Sequence, residues 1–534
     1  MAVVTVELDG RTLTPEDVVA VAREGDRVGL PDAARERIRE SRERVEDVVD
    51  SGEAVYGLNT GFGDLVTERI PREDVETLQT NLLRSHAAGA GRECTREEVR
   101  AMLVTRVNAL AKGYSGIRER VVDNLVAFLN EGVHPVVRSR GSLGASGDLA
   151  PLAHLGLVLL GEGESHVEPP EGGDGDERER VDGAGALKAA GVDPISLAPK
   201  EGLALINGTQ LTVGIAAMAV VDAERVLTAA DVAGGLTTEV TMGTTASCDD
   251  ALHSVRPHDG QVASARNVRT TTTGSEIVES HRNCDRVQDA YAIRCLPQVH
   301  GAVRDAVAHV RDGVETELNS ATDNPLVFAA DATDPRASGT EHAAVLSGGN
   351  FHGAPLAHRL DYLTAAMTDL AAISERRTDR LLNPNLQEDY LPAFLAADPG
   401  LGSGYMIAQY TSAALVNECR SLGRAATDNT PVSGGQEDHV SMSAGAAMHA
   451  QTAVENTASV VGVELLCGAQ ALEFVDGDLE AGVGSSAAVD AVREVAEPLD
   501  ADRQLSGEMD RASTLVRSGL LAETVQAAID PELA

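Results

Sequence analysis

Residues 141–154 read GSLGASGDLAPLAH. Ala145, Ser146 and Gly147, three residues with almost no side chain, stand directly before an apolar run that predicts a helix from about Asp148. Two chemistries could use such a sequence. Free N–H groups at a helix start attract anions, aided by the helix dipole, but this segment has no lysine, no P-loop spacing and no clear preceding strand. The alternative is reaction of the backbone itself. Gly147 offers an unhindered nitrogen, glycines permit a compressed main chain, and Ser146 carries a hydroxyl that can be eliminated. For an isolated Ala-Ser-Gly the ordinary reading is a tight turn, with Asp148 capping the helix.

Other reactive residues lie in equally distinctive settings. Tyr56 opens YGLNTGFG (56–63), a loop with three glycines; a phenol with a pKa near 10 is a poor base unless its neighbours lower it. His86 follows Ser85 in NLLRSHAAGAG (81–91), and Asn207 lies in GLALINGTQ (202–210). Gln288, Tyr291 and Arg294 recur every three residues in VQDAYAIRCLPQVHG (287–301), a spacing that on a helix keeps them within about a third of its circumference. The planar guanidinium of Arg294 suits a carboxylate, which it can bind through two parallel hydrogen bonds. Phe351 lies in SGGNFHG (347–353) and Glu437 in SGGQEDHVSM (433–442). A carboxylate such as Glu437 can hold an imidazolium or accept its N–H; an apolar ring would leave it unpaired, at about 1–3 kcal/mol or more.

The run GSLGASGDLAPLAHLG closely resembles the signature of the aromatic amino acid ammonia-lyases. The other six segments resemble that family's histidine-specific branch, and together they span nearly the whole chain. The resemblance implies that Ala145-Ser146-Gly147 condenses into 4-methylideneimidazol-5-one, the Gly147 nitrogen attacking the Ala145 carbonyl with loss of two waters. It implies non-oxidative deamination of L-histidine to trans-urocanate and ammonia, the first step of histidine degradation, with no metal or diffusible cofactor. Tyr56 is then the base for the β-proton, and Tyr291 serves positioning or proton transfer. Arg294 and Asn207 hold the α-carboxylate, with Gln288 on the same segment; His86 and Glu437 hold the imidazole, and Phe351 is an active-site aromatic. The family also implies a homotetramer whose sites combine residues of three chains. Two departures stand out: Ala290 replaces a usual proline, and Gly435 replaces the asparagine usual before Gln436. A tyrosine or phenylalanine ammonia-lyase or aminomutase of the same family is the alternative, disfavoured by Ser85-His86 and Glu437.

The elements that must position these residues read as mainly helical. Thr14-Pro15-Glu16-Asp17 combines an N-cap, a first-turn proline and early acids. Segments 31–51, 71–85, 95–112 and 114–131 predict helices, and longer runs near 199–232, 276–318, 354–382, 404–424 and 439–472 keep a helical period. Strand signals are confined to Val3–Leu8 and 237–242. The expected fold is a mainly α, long-helix bundle of ammonia-lyase/fumarase-like architecture. Its loop-rich N-terminal domain, 1–210, bears the Ala-Ser-Gly turn, and 211–534 form the helical bundle. Residues 162–183 and 329–342 read as inserted surface loops.

Among 534 residues, 83 acids outnumber 44 bases, a net charge of −39, and lysine occurs only at 112, 188 and 200. Such a field opposes nucleic-acid binding, and no basic stripe with interleaved aromatics is present. The charge suits a salt-rich cytoplasm. Six cysteines without C-x-x-C spacing fit reduced thiols, the first residues carry no signal-peptide pattern, and the apolar stretch Leu149 to Gly161 is too short to span a bilayer. A cytoplasmic protein is expected. Because the screening length falls to about 3 Å in molar salt, the thermal midpoint followed by circular dichroism is expected to rise markedly from dilute buffer to molar KCl.

Overall fold

The computed structural model describes residues 5–52, 55, 57, 71–169, 178–282, 284–334, 338–427, 429–475, 477, 479–530 and 532–534. Among them helices dominate. Ten matter here: α1 (Val75–His86), α2 (Arg96–Ala111), α3 (Leu149–Leu159), α4 (Glu201–Ile206), α5 (Gln210–Val240), α6 (Tyr291–Arg294), α7 (Leu296–Leu318), α8 (Ala354–Leu382), α9 (Met406–Ser421) and α10 (Ser443–Leu472). Local chemistry starts several helices where the sequence places them. The Thr14 hydroxyl accepts the Asp17 N–H at 3.1 Å while the Asp17 carboxylate accepts the Thr14 N–H at 2.9 Å, opening the helix Pro15–Val19. Thr95 and Glu98 repeat this reciprocal cap before α2.

Tertiary structure overrides the sequence pattern in several places. The run 199–232 is two helices, broken at Asn207-Gly208, where Gly208 takes φ +141°. Residues 281, 282 and 284–290 are not helical, so the run 276–318 is not one helix either. Residues 237–240, expected as strand, complete α5, whose residues are buried nearly throughout its length; β-branched residues in an enclosed helix mimic a strand signal. The expected surface loop 162–183 contains antiparallel pairing, Glu164–Val167 with Glu179–Asp182, a short ladder hidden by acidic and glycine residues. The stretch 329–342 connects the paired strands Leu326–Ala329 and Ala343–Leu346, with Ser338–Gly339 added at the sheet edge.

The chain forms two compact units, residues 1–218, 311–361 and 424–448 in one and 219–310, 362–423 and 449–534 in the other. The units interleave along the sequence, unlike the consecutive domains 1–210 and 211–534, because the boundaries at 218, 310, 361 and 448 fall inside long helices. In the first unit, Val45 and Val48 pack on Val327, Ala343 and Val345, closing the small sheet against the helix Asp32–Ser51.

The second unit is organised around buried charge. Glu464 on α10 accepts from Arg377 Nε at 2.5 Å and Nη2 at 2.9 Å, from Thr237 at 2.8 Å and from Ser374 at 2.6 Å. Arg377 also donates to His300 Nε2 at 3.1 Å, and His300 Nδ1–H therefore donates to Asp231 at 2.8 Å. Both members of the Arg377–Glu464 pair are wholly inaccessible, so removing one leaves an uncompensated charge. Arg377→Met is expected to destabilise the protein by about 3–5 kcal/mol, measured by urea unfolding in high salt.

Candidate active site

The Ala145-Ser146-Gly147 turn is built by close backbone approach. Gly147 has φ +76°, and a Cβ on it would stand 2.2 Å from the Gly208 oxygen and 2.6 Å from its nitrogen. No side chain fits either the space or the conformation. The Asp148 N–H donates to the Gly208 oxygen at 2.6 Å. The Asp148 side chain does not cap its own helix: wholly buried, it accepts from Ser142 Oγ at 2.6 Å, the Thr212 N–H at 2.9 Å and Thr212 Oγ1 at 3.1 Å. It thus caps the first turn of α5. Burial pushes its pKa up, against these hydrogen bonds. Behind the turn, Leu143 O accepts the Met442 N–H at 2.7 Å, and Gly144 O accepts from Gly353 N at 2.9 Å and Ser441 Oγ at 3.0 Å.

Ala145, Ser146, Asn207, Phe351 and Glu437 line one cavity of about 840 Å³ in the first unit. Ser146 Oγ donates to Glu437 Oε1 at 3.0 Å, and Asn207 Nδ2 donates to the Ser146 carbonyl at 2.8 Å. That carbonyl can only accept, so the amide orientation is fixed by chemistry; Asn207 Oδ1 is buried without a partner. His86 ends α1, and its Nδ1 meets the Leu82 carbonyl at 2.8 Å. In the neutral ring Nδ1 carries the proton and Nε2 is left as an acceptor. Burial lowers the His86 pKa, opposed by the Leu82 carbonyl and by the charge of Glu437. Glu437 sits on a turn closed by Val432 N donating to Glu437 O at 3.0 Å. Gly435 takes φ +91° there, a conformation that glycine adopts more easily than the asparagine it replaces.

Not every expected site residue joins this cavity; His86 is not among the residues that line it. Tyr56 lies outside the described residues. Its neighbour Gly57 lies close to Leu203 and Pro325, each about 2.9 Å from where a Cβ would stand. Gln288, Tyr291 and Arg294 belong to the second unit, where Gln288 and Arg294 line another cavity of about 410 Å³. Tyr291 is 71% exposed, with the Arg294 guanidinium 4.8 Å from its ring centre. Gln288 precedes the four-residue α6, so the three-residue spacing does not reflect a shared helix face. Ala290, at φ −59° and ψ 151°, occupies a conformation that proline also adopts. Sequence reading missed Asn324, His352 and His439 on the cavity wall. The two histidines stack with centroids 5.8 Å apart, and the signal was present, since each lies within a motif already singled out.

The model of the aromatic amino acid lyase family matches residues 13–494, and the chain belongs to that family. A probable histidine ammonia-lyase of Halobacterium salinarum is 63% identical over 529 residues, covering 99% of each chain. Among solved structures, histidine ammonia-lyase from Trypanosoma cruzi is 40% identical with a TM-score of 0.88, over 99% of this chain and 96% of its own. Tyrosine aminomutase from Streptomyces globisporus gives 35% and 0.90, over 99% and 100%. The shared fold therefore does not select the substrate; the cavity side chains must.

The residues present fit the prosthetic group this family implies. Only glycine is tolerated at 147, its backbone is pressed against Gly208, and Ala145 and Ser146 form cavity wall. The folded-state pKa of His86 lies below the unfolded value of about 6.5, so this residue favours folding above that pH and disfavours it as pH falls toward the folded value. Glu437→Gln removes a charge that raises this pKa and is expected to lower it further, as followed by NMR titration of carbon-13-labelled histidine.

Proposed function

We propose that the protein is a histidine ammonia-lyase, converting L-histidine to trans-urocanate and ammonia. The observation that carries this reading is the Glu437 carboxylate, 3.0 Å from Ser146 Oγ at the cavity wall. An apolar phenyl ring gives it no hydrogen to accept, whereas an imidazole N–H does. His86, whose pKa burial lowers and whose Nδ1 meets the Leu82 carbonyl, offers Nε2 as a second polar partner. The 63% identity to the Halobacterium salinarum protein supports the same substrate.

In this reading Ala145, Ser146 and Gly147 form 4-methylideneimidazol-5-one, which supplies an electrophile for the substrate's α-amine. Glu437 accepts the ring N–H and, with His86 and Phe351, fixes the ring. Asn207 orients the Ser146 carbonyl and reaches the α-carboxylate. Arg294 binds that carboxylate through its fork, with Gln288 beside it. Tyr56 removes the β-proton as the Cα–N bond breaks and the amine leaves; Tyr291 assists by positioning or proton transfer. Exposure of Tyr291 and of Val287, at 71% and 93%, supports a homotetramer in which other copies bring these residues to the site. Six unpaired cysteines and the large negative charge support a salt-rich cytoplasm.

Purified protein in molar KCl, mixed with L-histidine, is expected to generate the ultraviolet band of urocanate. Ser146→Ala should abolish it and restore the mass of two waters to the peptide containing residues 145–147. Product from tyrosine or phenylalanine instead would keep the chemistry and overturn the assignment of Glu437 and His86.

A further inference from the structure

Only 3 of the 44 basic residues are lysines, and one of them, Lys200, is wholly buried. Its backbone is left-handed, at φ +77°, a conformation that a residue with a side chain adopts only where its surroundings impose it. Its ammonium meets Asp323 Oδ2 at 2.7 Å, and the other Asp323 oxygen accepts the Asn324 N–H at 2.6 Å. Asp323 is 3% exposed, so the pair is closed off from water.

The placement of this pair connects it to the cavity. From Lys200 the short α4 leads directly to Asn207, and Asp323 adjoins Asn324; both asparagines line the cavity wall. The far end of α4 is held by a second buried cation. Arg106 donates to Asn207 O at 3.0 Å, to Ala204 O and to Gln210 Oε1 at 2.8 Å. Gln210 Nε2 then donates to Thr322 Oγ1 at 2.8 Å, returning to the segment that carries Asp323. Two cations and one carboxylate thus clamp α4 at both ends against residues 322–324. Burial lowers the Lys200 pKa and Asp323 opposes that shift, so the charge depends on the pairing. An apolar residue at 200 would strand the carboxylate of Asp323.

The geometry points to Lys200 as a positioning residue: its ion pair with Asp323 holds Asn207 and Asn324 in register on the cavity wall. The inference rests on the deaminase reading, because Asn207 is there the residue that orients the Ser146 carbonyl and the substrate carboxylate. Misplacement of such a group by even an ångström lowers the rate by orders of magnitude.

The test compares wild type with Lys200→Met/Asp323→Asn, which removes both charges and strands neither. Fold is checked by helical circular dichroism, and the prosthetic group by the two-water mass deficit of the peptide containing residues 145–147. The folded, mass-deficient double variant is expected to lose about tenfold or more in kcat for L-histidine, while inhibition by free imidazole, which probes only the ring wall, stays within about twofold. A folded double variant with wild-type kcat overturns the inference and leaves the pair a purely structural one. Should the double variant not fold, Asp323→Asn alone, which preserves side-chain volume, carries the same comparison. Wild type inactive on L-histidine would overturn the substrate reading itself, a result distinct from an active wild type with an unaffected variant.

Discussion

The contact on which the candidate site depends is backbone against backbone: Gly147 pressed on Gly208, with the Asp148 N–H on the Gly208 oxygen at 2.6 Å. It brings the start of α3 to the start of α5 and forces the break between α4 and α5. Once that approach is made, Asp148 reaches the first turn of α5, Asn207 reaches the Ser146 carbonyl, and Ser146 is left at the cavity wall beside Glu437. A methyl group at either glycine would displace all of this, because its nearest neighbours include main-chain or buried polar atoms with no freedom to retreat.

Charge is handled in opposite ways inside and outside. The surface carries a large acidic excess that only salt screens. Within the first unit, buried acids sit among donors: Asp148 between Ser142 and Thr212, and Glu317 accepting from Thr209 Oγ1 at 2.6 Å, with burial raising the pKa of both. Two buried arginines instead hold main-chain carbonyls, Arg106 at the end of α4 and Arg100 toward Val21 and Leu129. These groups fix loop ends that apolar packing alone would leave free to slide.

Much of the site was legible because its chemistry needs rare local sequences. Ala-Ser-Gly before a helix, Asn-Gly-Thr, Asn-Phe-His and Gln-Glu-Asp after paired glycines are short, specific words, and they singled out Ala145, Ser146, Asn207, Phe351 and Glu437, which share one cavity. What misled was periodicity. The three-residue spacing of Gln288, Tyr291 and Arg294 looks helical, yet the helix is only Tyr291–Arg294, and residues 284–290 before it are not helical. The acidic, glycine-rich stretch 162–183 read as a loop because strand pairing is a partnership between separated segments, which composition does not encode.

By itself the sequence determined the helical class and the capped helix starts and singled out the Ala-Ser-Gly turn, because each depends on residues within a few positions of one another. Tertiary structure decided what depends on long-range approach: the interruption at Asn207-Gly208, the capping of α5 by Asp148, 64 positions before Thr212, and the burial of Lys200 against Asp323. It also decided that the compact units interleave along the chain. A local sequence fixes what a segment can form; which distant backbone presses against it is settled only when the whole core closes.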